Sequence, residues 1–242
     1  MMSKFVAKEM KRLMGKAIHK HGMTEEGDHI LVSVSGGKDS MSLLWLLKER
    51  LKRIPIEYRI TAVHVDPGFG GYSSADSMKR FFKEHSFDYK LIESDYGPLA
   101  HSWENRENPC FLCSRLRRTA VFKTAAELGC NKIATGHNKD DMIETLFLNL
   151  FYGASLSTMT PVQTFFEGKL SIIRPFYMIE EKVIKKYAEL MGFPVIDLGC
   201  PTEGISKREE IKKMLIGFYR KNRKIKGNIF HALHNVKAEY LP

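Results

Sequence analysis

The chain has 242 residues, 43% of them hydrophobic, enough to bury one substantial core. Lys and Arg number 38 against 28 Asp and Glu, a formal charge of +10 that excludes an acidic solvating chain and favours phosphate-bearing partners, nucleic acid first. No apolar run reaches the roughly eighteen residues of a membrane span, and residues 1–8 lack the pattern of a secretory leader, so a cytoplasmic protein with no membrane association is expected. Cytosolic thiols stay reduced, so Cys110, Cys113, Cys130 and Cys200 are expected as metal ligands, redox groups or core fillers rather than disulfides.

In chain order, residues 4–21 place Phe5, Met10, Leu13, Met14, Ala17 and Ile18 at helical spacing before Gly22, which predicts an amphipathic helix. Residues 30–34 read as a buried strand and 41–51 as a helix. Strand-like runs return at 60–65, 89–92 and 132–135, with helical stretches between them. This alternation predicts an α/β fold, a parallel sheet flanked by helices. Residues 95–109 are polar, hold two prolines and lack a period, so a loop is expected there. Beyond Pro161 the pattern predicts a hairpin around Glu167-Gly168-Lys169, a strand over 170–173, a helix over 180–191 and a strand-like Pro194-Val195-Ile196. Residues 206–236 read as helical and very basic. No internal repeat or sharp linker occurs, so a single domain over 1–242 is expected. Its parts are an N-terminal helix in 1–28, a nucleotide-binding core with the C-x-x-C in 29–160, and a C-terminal segment in 161–242.

Ser35-Gly36-Gly37-Lys38-Asp39-Ser40 lies directly between a predicted buried strand and a predicted helix. Two glycines allow a tight turn that aims several N–H groups at one point, and the helix adds its unpaired donors and positive dipole end. Such a turn binds phosphate. The G-x-x-x-x-G-K-S/T spacing of a Walker loop is absent, so transfer of a γ-phosphate is not the natural reading.

Cys110-Phe111-Leu112-Cys113 opens a predicted helix, and Cys200 follows far along the chain. Alone, a C-x-x-C is open to a redox pair, half a zinc site or packing. A redox pair needs no third cysteine, and a structural zinc site wants four ligands. Three thiolates on a 4Fe-4S cluster leave one iron open to an incoming sulfide. Cys130 has no partner nearby in sequence and reads as a core residue.

The hexapeptide resembles the PP-loop of ATP pyrophosphatases, which split ATP between its α and β phosphates and activate a substrate as its adenylate. Further on, the chain reads P-C-F-L-C-S-R-L-R-R-T-A from Pro109 and A-T-G-H-N-K-D-D-M-I-E-T-L-F-L-N-L-F-Y-G from Ala134. With Ile173-Arg174-Pro175, with Arg208 eight residues after Cys200, and with Asn228-Ile229-Phe230 and Asn235-Val236, this set resembles the tRNA 2-thiocytidine synthetase family, the TtcA type, along nearly the whole chain. The family's C-G-S-Q at the third cysteine stands here as Cys200-Pro201-Thr202-Glu203. Thiouridine-forming relatives of the TtuA type carry zinc fingers at both ends, for which this chain has no cysteines. That places it nearer the zinc-free cytidine group.

The resemblance implies ATP binding by Ser35, Gly36, Gly37, Lys38, Asp39 and Ser40, with Lys38 neutralising the leaving pyrophosphate. It implies adenine contacts at the Val65 backbone and close nucleotide approach at Gly136. It implies Mg2+ at Asp39 and Asp141, with Asp141 preferred over Asp140, and a 4Fe-4S cluster on Cys110, Cys113 and Cys200. Arg117 is implied as a basic active-site residue near the α-phosphate or adenylate. His64, Asp66, His137 and Arg174 are left between orientation and packing. The implied partners are a tRNA, with cytidine 32 of the anticodon loop as target, and sulfide or a cysteine-desulfurase-type donor; a homodimer is also implied. Two other readings stand beside this one. The first is another PP-loop tRNA-modifying enzyme, a lysidine-synthetase-like ligase or a 2-thiouridine-forming enzyme. The second is a cluster-bearing redox sensor that binds nucleic acid.

Overall fold

The computed structural model describes residues 2–69, 74–194, 196, 198–202 and 204–240. Strands β1 (His29–Ser33), β2 (Arg59–Asp66), β3 (Asp88–Glu93), β4 (Lys132–Ala134), β5 (Val162–Phe165) and β6 (Leu170–Ile173) form one sheet in the order β3-β2-β1-β4-β6-β5. The helices are α1 (Met2–Lys20), α2 (Lys38–Leu51), α3 (Ser74–Glu84), α4 (Tyr96–Ala100), α5 (Pro109–Glu127), α6 (Lys139–Tyr152), α7 (Glu181–Met191), α8 (Lys207–Lys221) and α9 (Ile225–Ala232). Contacts divide the chain into two units. The first joins Met1–Asn138 with Thr160–Pro201 and contains the sheet; the second joins Lys139–Met159 with Thr202–Pro242 and is helical.

The expected α/β fold is present. Strand β1 is parallel to both β2 and β4, and its Ile30, Leu31 and Val32 are fully buried, as a central strand covered on both faces requires. Each such side chain contributes about 1.5–3 kcal/mol relative to exposure. On one face Leu31, Val63, Val65 and Ile133 pack with Ala120, Val121 and Ala125 of α5 and with Cys130. Helix α7 packs on both α1 and α2. Edge strand β5 alone is antiparallel, joined to β6 through Phe166, Glu167 and Gly168, all at positive φ. That is the hairpin expected around Glu167-Gly168-Lys169.

Two local expectations are corrected. Residues 95–109 are not all loop, because Tyr96–Ala100 makes one helical turn with Pro98 in its first turn, where a missing N–H costs nothing. Pro194 and Ile196 are not in a strand, and Val195 lies outside the described residues, as does Glu203. The basic stretch 206–236 forms α8, capped by the Ser206 hydroxyl on the Glu209 N–H, and α9 after a break at Asn222.

At the N-terminal edge of β4 the Lys132 ammonium meets the Asp28 carboxylate at 2.7 Å, with side-chain exposures of 10% and 2%. Asp28 also accepts from Asn131 Nδ2 at 2.8 Å and from the Glu25 N–H at 2.6 Å. Removing the cation leaves a buried carboxylate without its counter-charge, so Lys132→Met is expected to cost about 3–5 kcal/mol. Urea unfolding followed by circular dichroism measures this, and an unchanged midpoint would remove the pair from the folding balance.

Candidate functional site

The sheet order reverses direction at β1, whose neighbours β2 and β4 leave it on opposite sides. In open α/β sheets that reversal opens a crevice at the carboxyl ends of the strands. Ser35 to Ser40 lies there, after β1 and into the first turn of α2. Gly36 has φ +89, a left-handed conformation that suits glycine. The α2 N-cap is Gly37, which has no side chain with which to cap the helix. Ser35 and Ser40 brace the turn: the Ser35 N–H donates to Ser40 Oγ at 3.1 Å, and the Ser40 hydroxyl donates to the Gly37 carbonyl at 3.0 Å. Lys38 Nζ lies 3.0 Å from Glu181 Oε1 at the start of α7 and 3.8 Å from Asp39 Oδ2.

Gly136, just past β4, backs directly onto this turn. A Cβ there would stand 3.0 Å from the Asp39 carbonyl carbon and the Ser40 nitrogen, so a side chain would press on the backbone of the turn. Val65 is buried near the end of β2. The following Asp66 accepts from the Gly68 N–H at 2.9 Å, the Ser74 hydroxyl at 2.8 Å and the Ala75 N–H at 3.1 Å. Burial works to raise its pKa, but those donors outweigh it and hold the carboxyl below its ordinary value. His64 is fully buried, its Nδ1–H donating to the Val34 carbonyl at 2.8 Å while Nε2 sits 2.8 Å from Ser74 Oγ. Burial lowers its pKa. Arg117 pushes the same way, while the Val34 carbonyl and Asp66 oppose them. Both residues tie β2 to neighbouring segments. Arg174, just past β6, braces the segment before β5 instead, donating to the Thr160 carbonyl at 2.6 Å.

The cysteines come from two segments. Asn108 caps α5 with its side chain on the Phe111 N–H, Pro109 occupies the first helical position, and Cys110 and Cys113 follow in the first turn. Cys110 is exposed, Cys113 and Cys200 are half-buried, and none is oxidised to a disulfide. Burial pushes the Cys113 thiol up, Arg117 one turn along α5 pulls it down, and the charges of Cys200 and Cys110 push it up again. Cys110 and Cys200 therefore both lie within electrostatic reach of Cys113. Among the described residues no three His, Cys, Asp or Glu side chains converge tightly enough to hold a single metal ion. Burial lowers the Arg117 pKa, and Cys113, Asp66 and Cys200 all favour its charge. Cys130 sits in the core, its thiol pushed up to about 11 by burial.

The Cys200 segment runs beside the phosphate turn: a Cβ at Gly36 would stand 3.0 Å from Ile196 Cβ. It also runs beside β2, since a Cβ at Gly199 would stand 3.7 Å from Phe69 Cβ. The first unit thus brings together the phosphate turn, Gly136, the end of β2, Arg117 and the three cysteines. Glu181 and Ile196 were not anticipated from sequence, since each meets its partner only through the tertiary fold.

The second unit holds Asp140 and Asp141 in the first turn of α6. Arg208 Nη1 reaches Asp141 Oδ1 at 3.4 Å and Glu144 Oε2 at 3.3 Å, and Lys226 Nζ pairs with Asp140 at 2.5 Å. Burial and then Asp141 push the Glu144 carboxyl up to about 7 against the pull of Arg208 and Lys212. Lys139 lies over the Phe230 ring at 4.9 Å, Lys207 over Tyr152 at 5.2 Å and Lys226 over Tyr219 at 4.9 Å. These helices interleave cations with aromatic rings.

Comparison with known proteins adds to this geometry. Residues 2–197 match the family model described as a PP-loop domain. The tRNA-cytidine(32) 2-sulfurtransferase of Syntrophotalea carbinolica is 38% identical over 237 residues, 97% of this chain and 91% of that one. The protein of the same name from Geobacter sulfurreducens is 36% identical over 237 residues, 97% and 92% of the two chains. Among solved structures, the U34-tRNA thiolase NcsA from Methanococcus maripaludis with its 4Fe-4S cluster aligns with a TM-score of 0.80 at 24% identity, covering 99% of this chain and 81% of that one.

Thiol accessibility gives a direct check on the cysteine assignments. In metal-free protein kept anaerobic, iodoacetamide is expected to label Cys110, Cys113 and Cys200 and to spare Cys130 until the chain unfolds. Peptide mass spectrometry reads this, and labelling of Cys130 in the native state would contradict its place in the core.

Proposed function

Because this chain belongs to the PP-loop family that includes the tRNA-cytidine(32) 2-sulfurtransferases, we propose that it is an ATP-dependent tRNA sulfurtransferase whose target is most simply cytidine 32. The observation that carries the reading is the meeting of two chemistries in one unit. Ile196 packs on Gly36 of the phosphate turn, and four residues later Cys200 lies within electrostatic reach of Cys113. An adenylating site and a thiolate site side by side suit a reaction that first activates a carbon and then delivers sulfur to it.

The PP-loop part needs only this chain's own groups. The N–H donors of the turn and of the α2 N-terminus bind the departing pyrophosphate, and Lys38 exchanges Glu181 for it. Gly136 leaves room for the nucleotide, and the backbone at Val65 is assigned to adenine. In the activation step the base O2 forms a bond to the α-phosphorus as the bond to the β-phosphate oxygen breaks. Arg117, charged and half-buried, neutralises the α-phosphate oxygens or the adenylate. When sulfur arrives at C2, the C2–O bond breaks and AMP leaves with its oxygen. Asp39 is assigned to Mg2+, and Asp141, within its own unit, to Mg2+ or the reacting base.

The thiol set suits a 4Fe-4S cluster. Cys113 senses the charges of both Cys110 and Cys200, a cationic Arg117 interacts with Cys113 and Cys200, and the fourth cysteine is committed to the core. Such a cluster on Cys110, Cys113 and Cys200 supplies one iron without a protein ligand, where sulfide can bind. The proposal extends to sulfide or a cysteine-desulfurase-type protein as sulfur source, to a homodimer and to a cytoplasmic location. Among the described residues no helix is long and apolar enough to cross a membrane. One catalytic domain spanning both units is supported by the PP-loop match, which runs through residues of each. The basic helices α8 and α9 are assigned to the tRNA backbone.

Anaerobic reconstitution is expected to load about four irons per chain. Cys200→Ala should lose the cluster spectrum and thiolation together, and a variant that kept both would refute the three-cysteine site. Lys38→Ala should keep the iron yet release pyrophosphate from ATP and tRNA at least about tenfold more slowly. A wild-type rate would remove Lys38 from the adenylation step.

A further inference from the structure

We propose that Trp103 is the stacking platform for an unpaired base of the RNA substrate, held beside the three-cysteine site. The inference rests on the tRNA reading above and adds to it a specific contact. Trp103 is 84% exposed, the most exposed large hydrophobic side chain among the described residues. An indole contributes a large flat area to any partner that stacks on it, so one exposed on a hydrogen-bonded turn is a ready stacking surface.

The support is rigid. Asn105 Nδ2 donates to the Ala100 carbonyl at 2.6 Å and to the Glu107 carbonyl at 3.0 Å, and the Glu107 N–H returns to Asn105 Oδ1 at 2.8 Å. The Asn105 N–H also reaches the Ser102 carbonyl at 3.2 Å, closing the turn around Trp103. Its place is set from both ends. Two residues before Trp103, His101 packs edge-on against Phe69 at 5.3 Å, and Phe69 is the side chain that lies against Gly199, the neighbour of Cys200. Five residues after it, Asn108 caps the helix that opens with Cys110.

The surroundings suit a nucleic acid rather than a protein partner. Arg106 makes no hydrogen bond or ion pair among the described residues, and its exposed guanidinium is available to a phosphate. Arg115, which pairs with Glu107 at 3.1 Å, lies over the exposed Phe111 ring at 5.6 Å, a second aromatic next to a cation. Unpaired bases bind where π-faces alternate with positive charge, and the stack is indifferent to base identity.

The test uses the intrinsic fluorescence of the full chain. Trp45 is the other of its two tryptophans and packs against His85 at 5.2 Å, so Trp45→Phe leaves Trp103 as the reporter. A tRNA anticodon stem-loop is expected to quench Trp103 emission, while a fully paired RNA duplex of equal length binds without quenching it. In the otherwise native chain, Trp103→Ala should raise the stem-loop Kd by about 5- to 100-fold with no change in its salt dependence, and Trp103→Phe should recover most of the loss. Stem-loop binding with unmoved Trp103 emission, or a wild-type Kd for Trp103→Ala, overturns the assignment and leaves the sulfurtransferase reading standing. Failure of the wild-type chain to bind any RNA overturns the reading itself.

Discussion

Everything at the site depends on the parallel pairing of β1 with β2 on one side and β4 on the other. Parallel neighbours end at the same edge, so three separate chain exits are delivered to one place without a long loop. The exit of β1 becomes the phosphate turn, that of β4 becomes Gly136, and that of β2 becomes Asp66, Gly68 and Phe69. Full burial of Ile30, Leu31 and Val32 fixes the register that makes the exits coincide, because a one-residue slip would turn each side chain to the opposite face. The 3.0 Å approach between a Gly136 Cβ and the Asp39 backbone measures how close two of those exits come.

On this frame the phosphate turn is preformed. Ser35 and Ser40 satisfy one another and the Gly37 carbonyl, so the turn holds its shape through contacts that do not consume the N–H groups at the start of α2. Lys38 is paired with Glu181, but both side chains are about a third exposed, and an ion pair of that kind is worth only about 0–1 kcal/mol. A phosphate anion in the turn competes for that ammonium at little cost. A preformed backbone and a loosely held cation are what an anion site needs, since binding then requires little reorganisation.

Much of this was legible in sequence because it is local. The phosphate turn could be read since its glycines, its lysine and the flanking strand and helix are contiguous, and the C-x-x-C since Asn108 and Pro109 mark a helix start. The hairpin at Glu167-Gly168-Lys169 carried its own turn signal. What escaped notice depended on distance. Glu181 meets Lys38 across 143 residues, and Ile196 meets Gly36 across an interval no periodicity spans. Tyr96–Ala100 was missed for a different reason: Pro98 argues against a helix interior, yet here it sits in the first turn, where no donor is required. The break at Asn222 has no proline or glycine beside it, so the boundary between α8 and α9 had no local signal.

The contrast between Cys113 and Cys130 shows why spacing alone could not rank the cysteines. Burial pushes both thiols up, to about 11 for Cys130. Arg59 offers Cys130 only a minor pull, and that thiol is packed among Val121, Ala125 and Ile133. Cys113 instead has Arg117 on its own helix face and two further thiols close enough to oppose its ionisation. A bound cation relieves that opposition at Cys113, because one centre neutralises neighbouring thiolates at once and releases their protons. The same Arg117 is drawn toward Asp66 at the end of β2, so the charge that tempers the thiols is also aimed at the strand edge where the nucleotide is expected. Through one guanidinium, the thiols at Cys113 and Cys200 and the carboxylate at the end of β2 share one electrostatic environment.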